Sequence, residues 1–353
     1  MIALKHKIVV NALEANSGDA FLFVSDVNRY WLTGFESSAG YVISTKSKVY
    51  LFLDKRYYQK AVDEIFDSKV EILVLSGGKP QVCSFLKNLQ VDTVLVEKEY
   101  FSFDDYMEIS DSIKTIINYP SDFLRLKKTE KEIEYVQKAC DIVCETMNWI
   151  EEQLRPGLSE KEIALMVTCH MLELGASKNS FDPIVASGPN GAYPHHKPTD
   201  RIIQDNEFVT IDMGCIYKGY CSDLTRTYPV GTPNATLIKA YQTVFKSNQL
   251  GIQKASYDLT GKELDKICRD IISETEFKDY FVHGTGHGVG INVHETPYVS
   301  PAFDKLIQGN SIITIEPGIY IPGLGGIRIE DMVLVRKDKE NHLMTQKAKV
   351  FVF

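Results

Sequence analysis

Two acids stand in otherwise apolar surroundings within NEFVTIDMGCIYKGYCSDLTRTYPVG, residues 206–231: Asp212 and Asp223. The runs 208–216 and 220–230 alternate apolar and polar residues on either side of a Tyr-Lys-Gly connection, the pattern of a β-hairpin. With Tyr217-Lys218 as the turn, Asp212 falls opposite Asp223. With Lys218-Gly219 as the turn, Asp212 faces Thr225 and Asp223 is its diagonal neighbour. Either register leaves both carboxylates on one face, about 5–8 Å apart at Cβ. Two bare carboxylates that close in a half-buried strand pair repel and are poorly solvated. A divalent cation between them answers both costs; the competing reading puts one acid on a solvated face and the other in a turn.

Three downstream segments carry further ligand types. HGTGHGVGINVHE holds His283, His287 and His294, with glycines at 284, 286, 288 and 290. That alternation is expected to let backbone press close to a central group. It is not a zinc-binding HExxH helix, because Pro297 and Tyr298 follow Glu295 where a second histidine would be needed. Glu316 is expected at the end of an apolar strand and Glu330 within another, each beside isoleucine and with no obvious solvent. Burial without compensation raises a carboxyl's pKa and costs several kcal/mol. Four such carboxylates and one imidazole suit two hard-to-borderline divalent ions, Mn²⁺, Co²⁺ or Zn²⁺. A set poor in thiolates disfavours structural zinc.

The elements that must position these groups follow from pattern. The chain has 353 residues, 44% hydrophobic and 24% charged, enough for two domains with real cores. The first hundred or so alternate strand and helix signals: strands at 20–25, 70–75 and 93–96, a hairpin at 41–53, and helices at 56–66 and 80–89. No GxGxxG follows a strand and no Walker-type GK[ST] occurs, so no nucleotide site is expected there. Beyond Pro120 a long amphipathic helix starts at the capping box Thr129/Glu132. Ser159/Glu162 and Thr260/Glu263 open two more helices in the same way. With strand signals at 181–187, in the central hairpin and twice after Asn310, the second part reads as α+β, with helices on one face of a mostly antiparallel sheet. No apolar run approaches a membrane span and no signal peptide is read at the start. Seven cysteines without a CxxC pair suit reduced thiols in the cytoplasm, with Cys140 and Cys144 as core residues. A net charge of −8 without any basic stretch argues against nucleic acid as a partner.

Taken together, these residues resemble the "pita-bread" metallopeptidases, which include methionine aminopeptidase, aminopeptidase P and prolidase. The resemblance covers nearly the whole chain. It implies a smaller creatinase-like α/β N-terminal domain over residues 1–122 and a pita-bread α+β catalytic domain over 123–353. It implies that Asp212, Asp223, His287, Glu316 and Glu330 hold two divalent ions, Mn²⁺ first. The family pattern S-G-x-N-x-x-x-x-H is matched by residues 187–195, which makes His195 the catalytic histidine. Its neighbour His196 is expected to be a solvated loop residue. His294 matches a histidine near the substrate carbonyl, and Glu316 also takes the role of proton carrier. His283, Arg328 and Tyr320 match residues that support the metal and substrate. One departure is Asn206-Glu207, where the family has Gly-Asp before the first ligand strand.

The activity implied is hydrolysis of the Xaa-Pro bond at peptide N-termini by a hydroxide bridging two metal ions, as in an Xaa-Pro aminopeptidase. The alternative is an Xaa-Pro dipeptidase (prolidase) restricted to dipeptides. A third reading, less favoured because all five ligand positions are filled, is a non-catalytic binding module of the same fold. Short peptides with proline second are the expected partners, and the resemblance suggests a homodimer.

Overall fold

The structure, a computed structural model, describes residues 2–337 and 340–353. The chain divides into two compact units, Met1–Arg125 and Leu126–Phe353.

The first unit is built on a six-stranded mixed sheet in the order β4-β3-β2-β1-β5-β6. Its elements are α1 (Ile2–Ala15), β1 (Ala20–Phe23), α2 (Asp26–Thr33), β2 (Tyr41–Thr45), β3 (Val49–Leu53) and α3 (Lys55–Glu64). They continue with β4 (Val70–Val74), α4 (Gly78–Asn88), β5 (Thr93–Glu97), α5 (Phe103–Ser110) and β6 (Thr115–Tyr119). β1–β2 and β2–β3 pair antiparallel, while β1–β5, β3–β4 and β5–β6 are parallel. One face of the sheet packs Leu22, Ile43, Phe52, Val94 and Val96 against Val82, Cys83 and Leu86 of α4 and Ile109 of α5. Sequence pattern found the middle of this unit but not α1, α2, α5 or β6. α2 runs only eight residues, and α1 buries Lys5 and His6 along with its apolar residues, which blurs the helical period.

The second unit carries α6 (Glu130–Gln153) and α7 (Glu160–Glu173), then β7 (Lys178–Asn179), β8 (Ile184–Ser187), β9 (Glu207–Met213), β10 (Cys215–Tyr217), β11 (Tyr220–Cys221) and β12 (Leu224–Val230). After α8 (Ala235–Lys254) and α9 (Gly261–Ser273) come β13 (Gly286–Gly288), β14 (Glu295–Val299), β15 (Ile312–Ile315), β16 (Gly318–Ile321), β17 (Gly325–Arg328), β18 (Asp331–Leu334) and β19 (His342–Leu343). All three expected capping boxes form, at Thr129/Glu132, Ser159/Glu162 and Thr260/Glu263. Helix α8 was not foreseen; it starts from Asn234, whose side chain accepts from the Thr236 amide, without a capping box. Strand pairing here is antiparallel, in the orders β12-β9-β8, β14-β13-β15-β18-β19, β16-β17 and β11-β10-β7. Helices α6 and α7 bury Ile142, Val143, Met147, Val167 and Met171 against Val209, Ile211 and Leu224 of β9 and β12. Helix α8 packs Leu237, Ala240 and Tyr241 on Ile319 and Ile327. No helix among the described residues is long and apolar enough to cross a membrane.

Candidate metal centre

The central hairpin adopts the second of its two registers. Tyr217 pairs with Tyr220 and Asp212 with Thr225. Lys218 and Gly219 both have positive φ, 48° and 75°, as a two-residue primed turn requires. The ladder breaks where Gly214 approaches Ser222; a Cβ on Gly214 would lie 2.1 Å from the Ser222 carbonyl oxygen. In that break the Asp223 amide donates to the side-chain sulfur of Met332 in β18 at 3.2 Å rather than into the hairpin ladder.

Glu316 follows the last residue of β15, as expected. Glu330 does not lie within a strand: it sits at the joint between β17 and β18. Asn248 of α8, fully buried, reaches both positions. Its side-chain amide donates to the carbonyls of Ile315 (2.9 Å) and Ile329 (3.4 Å), the residues just before the two glutamates. A mid-helix asparagine carries no sequence signal for that role. Thr225 donates to Glu330 Oε2 at 2.7 Å, and Arg226 fixes the Glu330 carbonyl at 2.5 Å while pairing with Asp331 at 2.8 Å.

The alternating glycines act differently from expectation. Side chains at Gly286, Gly288 and Gly290 would strike the Thr314 carbonyl, the Glu295 and Thr296 carbonyls and the Glu295 carboxylate, at 2.0, 2.6 and 2.2 Å. The close approach is to flanking β14 and β15, not to a central group. Its effect is to hold His287 flush in the sheet, with its amide donating to Thr314 Oγ1 at 3.0 Å. His287 Nδ1 donates to the Gly288 carbonyl at 3.1 Å, leaving Nε2 to face Glu316 Oε1 (3.2 Å) and Asp223 Oδ2 (3.7 Å).

Ligand atoms of Asp212, Asp223 and Glu330 lie within 4.8 Å of one another, as do those of His287, Glu316 and Glu330 and those of Asp223, His287 and His294. These sets share members, so the five residues singled out in sequence meet in one place. They line a cavity of about 460 Å³ together with His195, His283, His294, Tyr320 and Arg328. Asp212 Oδ1 and Glu330 Oε1 are buried there without a hydrogen-bond partner. A buried carboxylate oxygen left unpaired costs several kcal/mol, and oxygen-rich donors with one imidazole suit a divalent cation. The residues fit such ions.

Charge in the cluster is divided unevenly. Burial, then repulsion from Glu330, pushes the Asp223 carboxyl well above its ordinary range; burial and Glu316 do the same to Glu330. Burial also raises Asp212, against the pull of Arg328, whose Nη2 donates to Asp212 Oδ2 at 2.7 Å. Burial would raise Glu316 too, but the hydrogen bond and charge of His287 outweigh it and hold that carboxyl at about 2. A polar chain braces one side. Arg328 Nη1 donates to the Tyr320 hydroxyl (2.9 Å), which meets His283 Nε2 (2.8 Å), while His283 Nδ1 donates to the Gly284 carbonyl (2.7 Å). Burial pulls His283 below its usual value, keeping this ring neutral. His294 stacks edge-on to His287 with ring centroids 4.2 Å apart.

His195 is exposed on the cavity wall, whereas His196 is not the solvated loop residue expected from sequence. Its Nε2 donates to Glu160 Oε2 at 2.8 Å. Glu160, fully buried at the start of α7, also accepts from Ser187 N and Oγ (both 2.8 Å), Asn190 Nδ2 (2.9 Å), and Thr199 N (3.0 Å) and Oγ1 (2.7 Å). One carboxylate thus ties down both ends of the loop that carries His195. Sequence showed Glu160 only as an acid in a helix's first turn. The Asn206-Glu207 departure is structural, since Glu207 forms a two-pronged pair with Arg201 at 2.6 Å.

Burial alone would raise the Glu160 carboxyl, but its donors, His196 first, lower it to about 2. A carboxyl lowered in the folded state contributes stability above its unfolded value and loses it as pH falls through the folded one. Glu160→Gln turns an amide N–H₂ against donors and is expected to cost about 2–3 kcal/mol near neutral pH. That gap should narrow between about pH 4.5 and about pH 2. Urea unfolding across this range checks it, and a gap indifferent to pH would count against an ionised Glu160.

The chain resembles known proteins along its whole length. Residues 134–337 match the model of metallopeptidase family M24, and residues 6–126 match the creatinase/prolidase N-terminal domain. A putative Xaa-Pro aminopeptidase of Mycoplasma genitalium is 45% identical, with 99% of each chain covered. An Xaa-Pro dipeptidase of Pyrococcus furiosus is 35% identical over 95% of this chain and 96% of that protein. Among solved structures, an Xaa-Pro dipeptidase from Bacillus anthracis superposes with a TM-score of 0.94 at 32% identity, covering both chains entirely. With the M24 model spanning more than half of its residues and relatives above 30% identity along nearly all of it, the chain belongs to metallopeptidase family M24.

Proposed function

We propose that the chain is a metal-dependent exopeptidase that hydrolyses the Xaa-Pro bond at peptide N-termini. The observation that carries this reading is the meeting of Asp212, Asp223, His287, Glu316 and Glu330 in one cavity, with two of their buried oxygens unpaired. Membership of M24 implies divalent metal ions; their identity as two Mn²⁺, with Co²⁺ or Zn²⁺ as alternatives, is part of the proposal. Such ions, when bound, polarise a peptide carbonyl and lower the pKa of water towards neutrality. Glu316, held ionised by His287, takes the proton from the attacking water and passes it to the leaving nitrogen. His195, which has no hydrogen bond among the described residues, donates to the developing oxyanion, and His294 holds the carbonyl from the His287 side. The Arg328–Tyr320–His283 chain keeps Asp212 oriented.

An Xaa-Pro bond lacks an N–H and has fixed φ, so enzymes that grip peptides through backbone amides position it poorly. The relatives' names divide between Xaa-Pro aminopeptidase and Xaa-Pro dipeptidase. An Xaa-Pro dipeptidase restricted to dipeptides is the alternative reading. A cytoplasmic setting suits seven unpaired cysteines, six of them buried, and a homodimer is proposed on the resemblance alone. The test is release of proline from Gly-Pro and of the N-terminal residue from Arg-Pro-Pro, with added Mn²⁺ and with chelator. Cleavage that depends on metal and on proline in second place is expected. Metal-independent cleavage, or equal cleavage of peptides lacking proline, would overturn the reading.

A further inference from the structure

Met332 reads in sequence as one more apolar residue of a strand, and in β18 it is fully buried. Its sulfur is nevertheless a hydrogen-bond acceptor. The Asp223 amide donates to it at 3.2 Å, and the Cys140 thiol of α6 donates to it at 3.5 Å. Burial pushes the Cys140 thiol up, so it stays protonated and able to donate. The methionine's backbone is fixed as well. Its amide donates to Thr345 Oγ1 at 3.2 Å, and its carbonyl accepts from the Met344 amide at 2.9 Å. The sulfur is therefore held from α6 and from its own strand.

The Asp223 amide uses this partner because the hairpin does not supply one. On one side the Ser222 amide donates to the Cys215 carbonyl at 2.9 Å, and on the other Leu224 pairs with Met213. Asp223 falls between them, outside both ladders. A buried backbone N–H left unpaired is costly, and an aspartate can satisfy one by turning its own carboxylate onto it. Here that rotation would draw the carboxylate away from Asp212, Glu330 and His287. A thioether accepts a hydrogen bond and brings neither charge nor donor, so it removes the competition without adding a rival ligand. Met332 also lies opposite Thr314 in the sheet. The Thr314 hydroxyl accepts from the His287 amide (3.0 Å) and donates to Glu316 Oε1 (3.2 Å). One cross-strand pair thus supports three of the five candidate ligands.

We propose that Met332 is a positioning residue for the metal centre: its sulfur takes the Asp223 amide, so that the Asp223 carboxylate stays turned to the cations. This inference rests on the metal-site reading above. It deepens that reading by assigning part of the strength of metal binding to an apolar residue that is not itself a ligand. Removing a partner that orients a ligand typically weakens metal binding by about 10–100-fold.

The experiment titrates Mn²⁺ into the metal-free protein by calorimetry and follows its thermal unfolding under chelator, for the wild type, Met332→Leu and Met332→Gln. Leucine nearly matches methionine in volume and lacks the acceptor; glutamine keeps the reach and offers a carbonyl oxygen. Met332→Leu should weaken Mn²⁺ binding by about tenfold or more. Its chelated form should unfold within about 5 °C of the wild type, because the Asp223 carboxylate then takes the freed amide. Met332→Gln should show the reverse: Mn²⁺ affinity within about threefold of the wild type, and a lower unfolding temperature from its buried, poorly matched N–H₂. Undiminished affinity in Met332→Leu, or equal losses of affinity in both variants, overturns the inference alone. Should Met332→Leu fail to fold, Met332→Gln decides, and a loss of affinity beyond about tenfold there overturns the inference. Failure of the wild type to bind Mn²⁺, Co²⁺ or Zn²⁺ in the same titration overturns the metal-site reading, and the inference with it.

Discussion

Asp223→Ala is expected to empty at least one of the two proposed metal positions and to remove nearly all turnover. Asp223 belongs to two of the three ligand sets, meeting Asp212 and Glu330 on one side and His287 and His294 on the other. The neighbouring carboxylates Asp212, Glu316 and Glu330 already belong to the candidate ligand sets, so none of them is spare to replace it. Metal centres of this kind supply several kcal/mol of transition-state stabilisation, so the loss should reach about a thousandfold or more in kcat/KM. Elemental analysis together with proline release checks both halves. Two ions per chain in the variant would remove Asp223 from the ligand set.

The same substitution has an opposite expected effect on the metal-free protein. The Asp223 carboxyl is raised in the folded state by burial and by Glu330. A carboxyl raised above its unfolded value gives stability at low pH that is lost as pH rises through the folded value. The chelated wild type should therefore soften as pH climbs above the ordinary carboxylate range, and the chelated Asp223→Ala protein should soften less. Thermal unfolding under chelator from about pH 5 to about pH 8 reads this directly. A structural aspartate, needed for packing alone, would make the variant weaker at every pH.

His195→Ala should behave in the contrary way, keeping both ions and losing kcat. His195 is in none of the ligand sets, is exposed on the cavity wall, and makes no hydrogen bond among the described residues that its loss would orphan. If it donates to the oxyanion only as charge develops, its removal costs about 100-fold or more in kcat with little change in KM. His196→Ala is the informative companion: it breaks a bond to buried Glu160 and should register as lost stability. Full turnover in His195→Ala with loss in His196→Ala would exchange the two histidines' roles.

The chemistry-bearing residues were legible because each broke a local rule. An acid inside an apolar alternation, as at Asp212, Asp223, Glu316 and Glu330, is conspicuous in one dimension, since burial of an unpaired carboxylate needs an explanation. Capping boxes at Thr129, Ser159 and Thr260 were equally visible, because both partners lie three residues apart. Helices α2 and α5, eight residues each, gave too few periods to see.

Sequence by itself singled out four acids that would need a shared partner, the hairpin that carries two of them, and the family whose pattern points to His287 as the fifth member. Tertiary structure alone decided the hairpin's register, which turns on the positive φ of Lys218 and Gly219. It also decided that the glycines of 284–290 press on neighbouring strands, and that Glu160 and Asn248 hold the segments bearing His195, Glu316 and Glu330. The reason is distance along the chain. Glu160 and Thr199 lie 39 residues apart, and Asn248 and Ile329 lie 81 apart. A hydrogen bond between such partners leaves no periodic trace in either segment, so only the folded backbone brings it into being.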